Sequence, residues 1–175
     1  SNSSFGPNEI REISRYIAED ISRYATLRDA VSELASRTEQ TPASSVRLGV
    51  CRFLLGQWRQ AEKVLSRADG GALACFYLGK TKFELQQYDE AIHWYESAKT
   101  AGYDADLCTL AAAEAKRYQR DIRGAMDALD QMFGPIEQTA EYLYQRGATV
   151  AVVGGNPQEV VALYERAVEV DGRHA

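Results

Sequence analysis

Leu78-Gly79-Lys80-Thr81-Lys82-Phe83-Glu84-Leu85-Gln86-Gln87-Tyr88-Asp89-Glu90-Ala91-Ile92-His93-Trp94-Tyr95-Glu96-Ser97-Ala98 reads as the end of one helix, a short polar turn and a second helix. Upstream, Leu73, Phe76, Tyr77, Leu78, Phe83 and Leu85 spread over a broad apolar helical face that no proline interrupts. Gln86 to Asp89 supply the turn. Ala91, Ile92, Tyr95 and Ala98 then recur at i, i+1, i+4 and i+7, one stripe of a second helix. Ala101-Gly102 closes that helix, glycine being suited to the left-handed position just past a helix end.

Working outward, the same pattern returns. Asp106 lies 34 residues after Ala72, and that shift sets Ala125 on Ala91 and Gln119-Arg120-Asp121-Ile122 on the Leu85 to Tyr88 turn. A further 35 residues reach Glu141, and 30 residues back from Ala72 lies Pro42. Four helix pairs are therefore predicted, over 42–71, 72–105, 106–140 and 141–172. Their turns fall at Gly56-Gln57, near Gln86, near Arg120-Asp121 and at Gly154-Gly155-Asn156-Pro157, with Pro157 at the first position of its helix. Small residues at Gly49, Gly79, Ala113 and Ala148, and at Ala61, Ala91 and Ala125, let paired helices approach closely. Leu65, Tyr95, Leu129 and Tyr164 are expected to fill the space between successive pairs.

These residues resemble the tetratricopeptide-repeat family, whose unit is 34 residues long. Leu48-Gly49 and Leu78-Gly79 look like its Leu-Gly pair, with Ala61 and Ala91 twelve residues after each glycine. Tyr88 to Ala98 resembles its second helix, and so does Tyr164-Glu165-Arg166-Ala167-Val168-Glu169-Val170-Asp171. The pattern departs at Arg52, Lys82 and Lys116, where the family favours an aromatic, and at Ala112-Ala113 and Gly147-Ala148, which replace Leu-Gly. The resemblance implies an all-α chain, a right-handed α-solenoid of antiparallel helix pairs with a tetratricopeptide-like superhelix.

It also implies a function. The inner face of such a solenoid is lined by the first helix of each pair. Carried over residue by residue, that gives Arg47; Phe76, Tyr77, Lys80 and Glu84; Glu114 and Arg117; and Tyr142, Gln145, Arg146 and Thr149. Tyrosine and arginine are frequent anchors in protein interfaces. The resemblance thus implies a scaffold that binds a protein or peptide partner in a concave groove, with no catalytic residue. One subclass grips C-terminal carboxylates with Lys, Asn and Arg; the matching places hold Val46, Val50, Tyr77, Leu107 and Ala111, which do not make that clamp. A regulatory repeat region cut from a larger enzyme is a further alternative.

The two ends read differently. Ser1-Asn2 resembles the remnant of tag cleavage, and residues 1–7 are expected to be a disordered start. Over 8–40, Ile10, Ile13, Ile17, Ile21 and Tyr24 form one stripe, and Thr26 with Asp29 resembles a capping box ahead of Leu27, Ala30, Val31 and Leu34. This predicts an N-terminal helix pair, a degenerate repeat or a cap. The last helix is apolar on more than one face, and Val161, Tyr164 and Val168 are expected to seek a neighbour. Continuation of the natural chain past Ala175, or self-association through this face, would supply one.

Composition narrows the classes. The chain has 175 residues, is 45% hydrophobic and carries a net charge of −5. No run approaches the roughly 18 apolar residues of a membrane span, so no direct membrane insertion is expected. The interspersed, acidic charge offers no basic stripe, so no nucleic-acid partner is expected. Cys51, Cys75 and Cys108 are too few and too far apart for a disulfide or metal framework, which predicts a reducing, cytoplasmic setting. Neither His93 nor His174 has a ligand cluster, so no metal or cofactor is expected. Gly79-Lys80-Thr81 imitates the end of a phosphate-binding loop, but Ala74 stands where the first glycine belongs and the segment reads as mid-helix.

Overall fold

The computed structural model describes residues 5–36, 41–68, 70–170 and 172. Residues 1–4, 37–40, 69, 171 and 173–175 lie outside this range, and with them Ser1-Asn2, His174 and the ends of two expected segments. The described residues form ten α-helices and no strand. They are α1 (Pro7–Glu19), α2 (Arg23–Ser36), α3 (Pro42–Leu54), α4 (Trp58–Leu65), α5 (Ala72–Glu84), α6 (Tyr88–Thr100), α7 (Ala105–Tyr118), α8 (Ile122–Asp130), α9 (Ala140–Val152) and α10 (Pro157–Val170). A 3₁₀ turn, Pro135–Gln138, precedes α9. The chain divides into two compact units, Ser1–Gln87 and Tyr88–Ala175. Their boundary falls inside the second expected repeat, at the turn between α5 and α6.

Four of the helices start where a side chain satisfies one of the first free N–H groups. Thr41 Oγ1 accepts from Ser44 N at 3.1 Å to open α3, Asp104 from Leu107 N at 3.0 Å for α7, and Asp121 from Gly124 N at 2.9 Å for α8. Thr139 does the same for α9, accepting from Tyr142 N at 3.3 Å. The helix pairs turn by one shared device, the Schellman closure. After α3, Gly56 N donates to Phe53 O and Gln57 N to Arg52 O; after α5, Gln86 N to Phe83 O and Gln87 N to Lys82 O. Arg120 and Asp121 repeat the pattern after α7, and Gly154 and Gly155 after α9. The first residue of each closure is left-handed: Gly56 at φ 70°, Gln86 at 61°, Arg120 at 73° and Gly154 at 73°.

In the first unit, Val31, Leu48 and Cys51 form a buried cluster with Leu27, Leu34, Leu55 and Val64 around it. Gly49 makes the close approach of α3 to α4 possible: a Cβ there would lie 2.5 Å from Leu65 Cγ and 2.6 Å from Leu65 Cδ2. The ion pair Lys82 Nζ to Glu62 Oε1, 2.6 Å, ties α5 to α4. In the second unit, Leu110, Ala113, Leu129, Met132 and Tyr142 cluster across α7, α8 and α9. Ala140, Leu143 and Ala167 form another cluster with Leu163.

Four sequence expectations are corrected here. Residues 5–7 are ordered: Pro7 opens α1, Glu9 Oε2 accepts from Gly6 N at 3.0 Å, and Phe5 packs against the Val31–Leu48 cluster. Thr26 is not a cap but lies inside α2, because the chain already turns at Asp20, whose carboxylate accepts from Ser22 N at 2.8 Å. The Ile10–Tyr24 stripe therefore breaks at that turn, leaving Ile10 and Ile17 buried and Ile21 87% exposed. Finally, Tyr164 faces α9 rather than outward. A Cβ at Gly147, not at Ala148, would meet its ring at 3.0 Å. The turn into α10 has one residue more than the turn into α4, which moves the contact back by one position.

Candidate functional site

The residues expected on the inner face fall into a group in each unit. In the first unit Arg47 is exposed and its guanidinium carbon lies 5.2 Å from the Phe5 ring centroid. Phe76 and Tyr77 are buried, which corrects their assignment as surface anchors. They pack edge to face at 5.8 Å, and Phe53 of α3 meets Tyr77 in the same way at 5.5 Å. Lys80 is half-buried above this cluster, with Nζ 5.8 Å from the centroids of both Phe53 and Phe76. Glu84, one turn further on, is exposed. Phe53 follows Arg52 by one place, so the family pattern, which expects the aromatic at position 52, does not point to it. Lys80 sits within α5, where Thr81 Oγ1 donates to Tyr77 O, so the Gly79-Lys80-Thr81 segment forms no phosphate loop.

In the second unit Tyr142, Gln145 and Thr149 are buried, again against expectation. Polar groups survive there because each finds a partner. Tyr142 Oη donates to Leu129 O at 3.4 Å, and Thr149 Oγ1 to Gln145 O at 2.8 Å. Gln145 Oε1 accepts from Arg117 Nη2 at 3.2 Å, while its Nε2 donates to Glu141 Oε1 at 3.2 Å. Arg117 also stands 3.8 Å from Glu114 Oε1, and its Nε is buried without a hydrogen-bond partner. Arg146 Nη1 is held 2.7 Å from Asp130 Oδ1, which raises the guanidinium pKa. These residues thus tie α7, α8 and α9 together.

What remains accessible beside them is aromatic. Tyr118 is 50% exposed, with the Arg117 guanidinium carbon 4.9 Å from its ring centroid and the Tyr88 ring 5.8 Å away. Tyr144 is 38% exposed and lies 5.7 Å from the Tyr164 ring. Burial, then the nearby Tyr144, push the Tyr164 phenol above its ordinary value, and the Arg117 charge opposes them. Tyr118 and Tyr144 escaped the sequence reading because each neighbours an expected groove residue by one place, and helical periodicity assigns that place to another face.

The three cysteines are buried and form no disulfide, and Cys75 Sγ donates to Gly70 O at 3.2 Å. Burial, followed by the Asp104 and Glu96 charges, raises the Cys108 thiol to about 11, against the opposing Lys99. Among the described residues no group of three or more His, Cys, Asp or Glu could hold a metal ion, and no helix is long and apolar enough to cross a membrane.

An all-α stack of antiparallel helix pairs, closed by repeated Schellman turns and with small residues at the helix crossings, defines the tetratricopeptide-repeat fold, and solved structures of that class bear this out. The chain is similar to one in the crystal structure of the APC/C hetero-tetramer Cut9-Hcn1, with a TM-score of 0.73 and 14% identity over 86% of this chain and 29% of that one. It thus spans less than a third of that chain's length. It is also similar to MamA of MSR-1, with a TM-score of 0.65 and 18% identity over 95% of this chain and 97% of that one. MamA residues 41 to the end, from Desulfovibrio magneticus RS-1, give a TM-score of 0.67 and 15% identity, covering 95% of each chain. No family model matches the chain, and no curated protein matches it by sequence.

Proposed function

We propose that this protein is an interaction scaffold that holds a protein or peptide partner on the first helices of its pairs, α3 and α5 within the first unit and α7 and α9 within the second. The observation that carries the reading is the accessible ring at Tyr118 with the Arg117 cation against it. Tyr144, exposed one place before the Arg117 partner Gln145, extends it. Rigid aromatic rings with few rotatable bonds, set beside arginine, are the usual anchors of protein interfaces. The similar Cut9 structure was solved as a hetero-tetramer, which supports a role in assembly. Nothing in the reading requires catalysis.

The test uses the photoreactive residue benzoylphenylalanine in place of Tyr118, of Tyr144 or, as a control, of the exposed Glu90. Cells expressing each variant are irradiated and the crosslinked protein is identified. The same partner captured from Tyr118 and Tyr144 but not from Glu90 supports the proposal. Equal capture from all three sites, or capture from Glu90 alone, refutes it.

A second reading has its own observation. With Tyr164 turned inward, Val161, Val168 and Val170 still lie exposed along α10, Val161 at 53%. We propose self-association through this strip as the alternative. Sedimentation velocity of the Val161→Lys variant decides it: a lower assembly state than the parent supports it, and identical profiles remove it.

A further inference from the structure

Two lysines on the same helix have opposite circumstances. Lys82 is buried and its charge is met by Glu62 at 2.6 Å. Lys80, two residues earlier, meets no carboxylate and no hydrogen-bond acceptor among the described residues; its contacts are the Phe53 and Phe76 rings at 5.8 Å. Even Glu84, one turn along α5, is not bonded to it. Ring faces attract the cation but leave the three N–H donors of an ammonium without an acceptor. Tyr77, edge-on to both phenylalanines, fixes the frame. Half-burial against these rings narrows the space open to the side chain, which lowers what an incoming anion must offset.

From this we infer that Lys80, with Phe53 and Phe76, is an acid-recognition position for an aspartate or glutamate side chain of a bound protein segment. The inference rests on the proposal that the first helices carry a partner, and it names the chemistry taken at one point. Charge distribution agrees with the placement. Residues 1–87 carry twelve Lys and Arg against ten Asp and Glu, whereas residues 88–175 carry eight against fifteen. An acidic segment is drawn toward the first unit and repelled by the second. A nucleic-acid phosphate is the weaker candidate, because one ammonium lacks the clustered basic footprint that a phosphate backbone requires. The site also differs from a grip on a chain terminus, since it needs only a single side-chain carboxylate.

The probe is an array of random twelve-residue peptides, acetylated and amidated so that neither terminus carries charge. It is screened with the 175-residue chain and with Lys80→Met, Lys80→Gln and Lys80→Arg. Far-UV circular dichroism selects the variants that fold like the parent, and Lys80→Arg is the most conservative of them. We expect the parent to select Asp or Glu at one peptide position. Lys80→Met and Lys80→Gln should lose that selection, with the best acidic peptides bound roughly tenfold more weakly, the scale of a partly exposed charge-assisted hydrogen bond. Lys80→Arg should keep it. If peptides bind without acidic selection, or keep the same selection in Lys80→Met or Lys80→Gln, the Lys80 assignment is overturned while the scaffold reading stands. If the parent retains no peptide at all, both are overturned.

Discussion

Replacing Gly49 with alanine puts a methyl group where α3 and α4 leave no room. Its Cβ would stand 2.5 and 2.6 Å from two carbons of Leu65, against an ordinary separation of about 3.5–4.0 Å. Leu65 is itself buried beside the fully buried Ala61, so it cannot swing away into solvent. Overpacking of this kind costs about 1–3 kcal/mol. Alanine recovers about 1 kcal/mol of helix propensity over glycine. The net is a loss of up to about 2 kcal/mol, or up to roughly 8 °C in Tm for a chain of this size. Leu65→Ala alone should cost about 2–5 kcal/mol through the cavity it opens. In that background the sign reverses, because the methyl of Gly49→Ala enters the vacated space and keeps its propensity gain. The double variant should be about 1 kcal/mol more stable than Leu65→Ala alone. Urea titration followed by far-UV circular dichroism measures all four corners of the cycle. Gly49→Ala with the same effect in both backgrounds would refute the claim that Gly49 exists to admit Leu65.

Two further outcomes follow from the backbone and from the buried thiol. Arg120 holds φ 73° in the closure after α7, a conformation that costs an L-residue about 1–2 kcal/mol, so Arg120→Gly should raise stability by about 0.5–1 kcal/mol in the same urea assay; a loss would contradict it. Cys108 has its thiol raised from 9.0 to about 11 by burial, so the folded state holds that proton more tightly than the unfolded state. Its contribution is complete below pH 9 and is lost as the pH rises toward 11. The stability difference between the parent and Cys108→Ala should therefore shrink over that interval, while iodoacetamide labelling at pH 8 stays slow in the folded chain and fast in urea; rapid labelling of the folded chain would contradict the assignment.

The helix pairs were legible because periodicity, polar turns and recurring small residues all pointed the same way. Gly49 and Ala113 as small residues at helix crossings needed only the repeat spacing; that Leu65 packs against Gly49 inside one pair, rather than between pairs, did not follow from it. Depth was harder to read. Periodicity says which residues share a face, not how far each sinks below it. Tyr142, Gln145 and Thr149 fall on the inner face when the family's pattern is carried over, yet Leu129 O, Arg117 and Gln145 O satisfy them in the interior. Thr26 misled because two turn signals lie close together, and the Asp20 carboxylate acts first. Tyr164 moved inward through one additional residue in a turn, which no spacing rule registers until the helix ends are known.

The hairpin turns and the connections between pairs are under different constraints. The three residues between α3 and α4, and likewise between α5 and α6 and between α7 and α8, share main-chain closures around one left-handed residue, so glycine, glutamine and arginine can exchange at that residue but length cannot. The segments after α4, α6 and α8 differ in length, and the last of them displays Phe133 almost entirely to solvent. Foreign sequence should thus be accepted after Phe133 and rejected at Arg120. Growth of such a chain, by splicing or by engineering, is free to occur at the joints between hairpins while these three-residue turns keep their length.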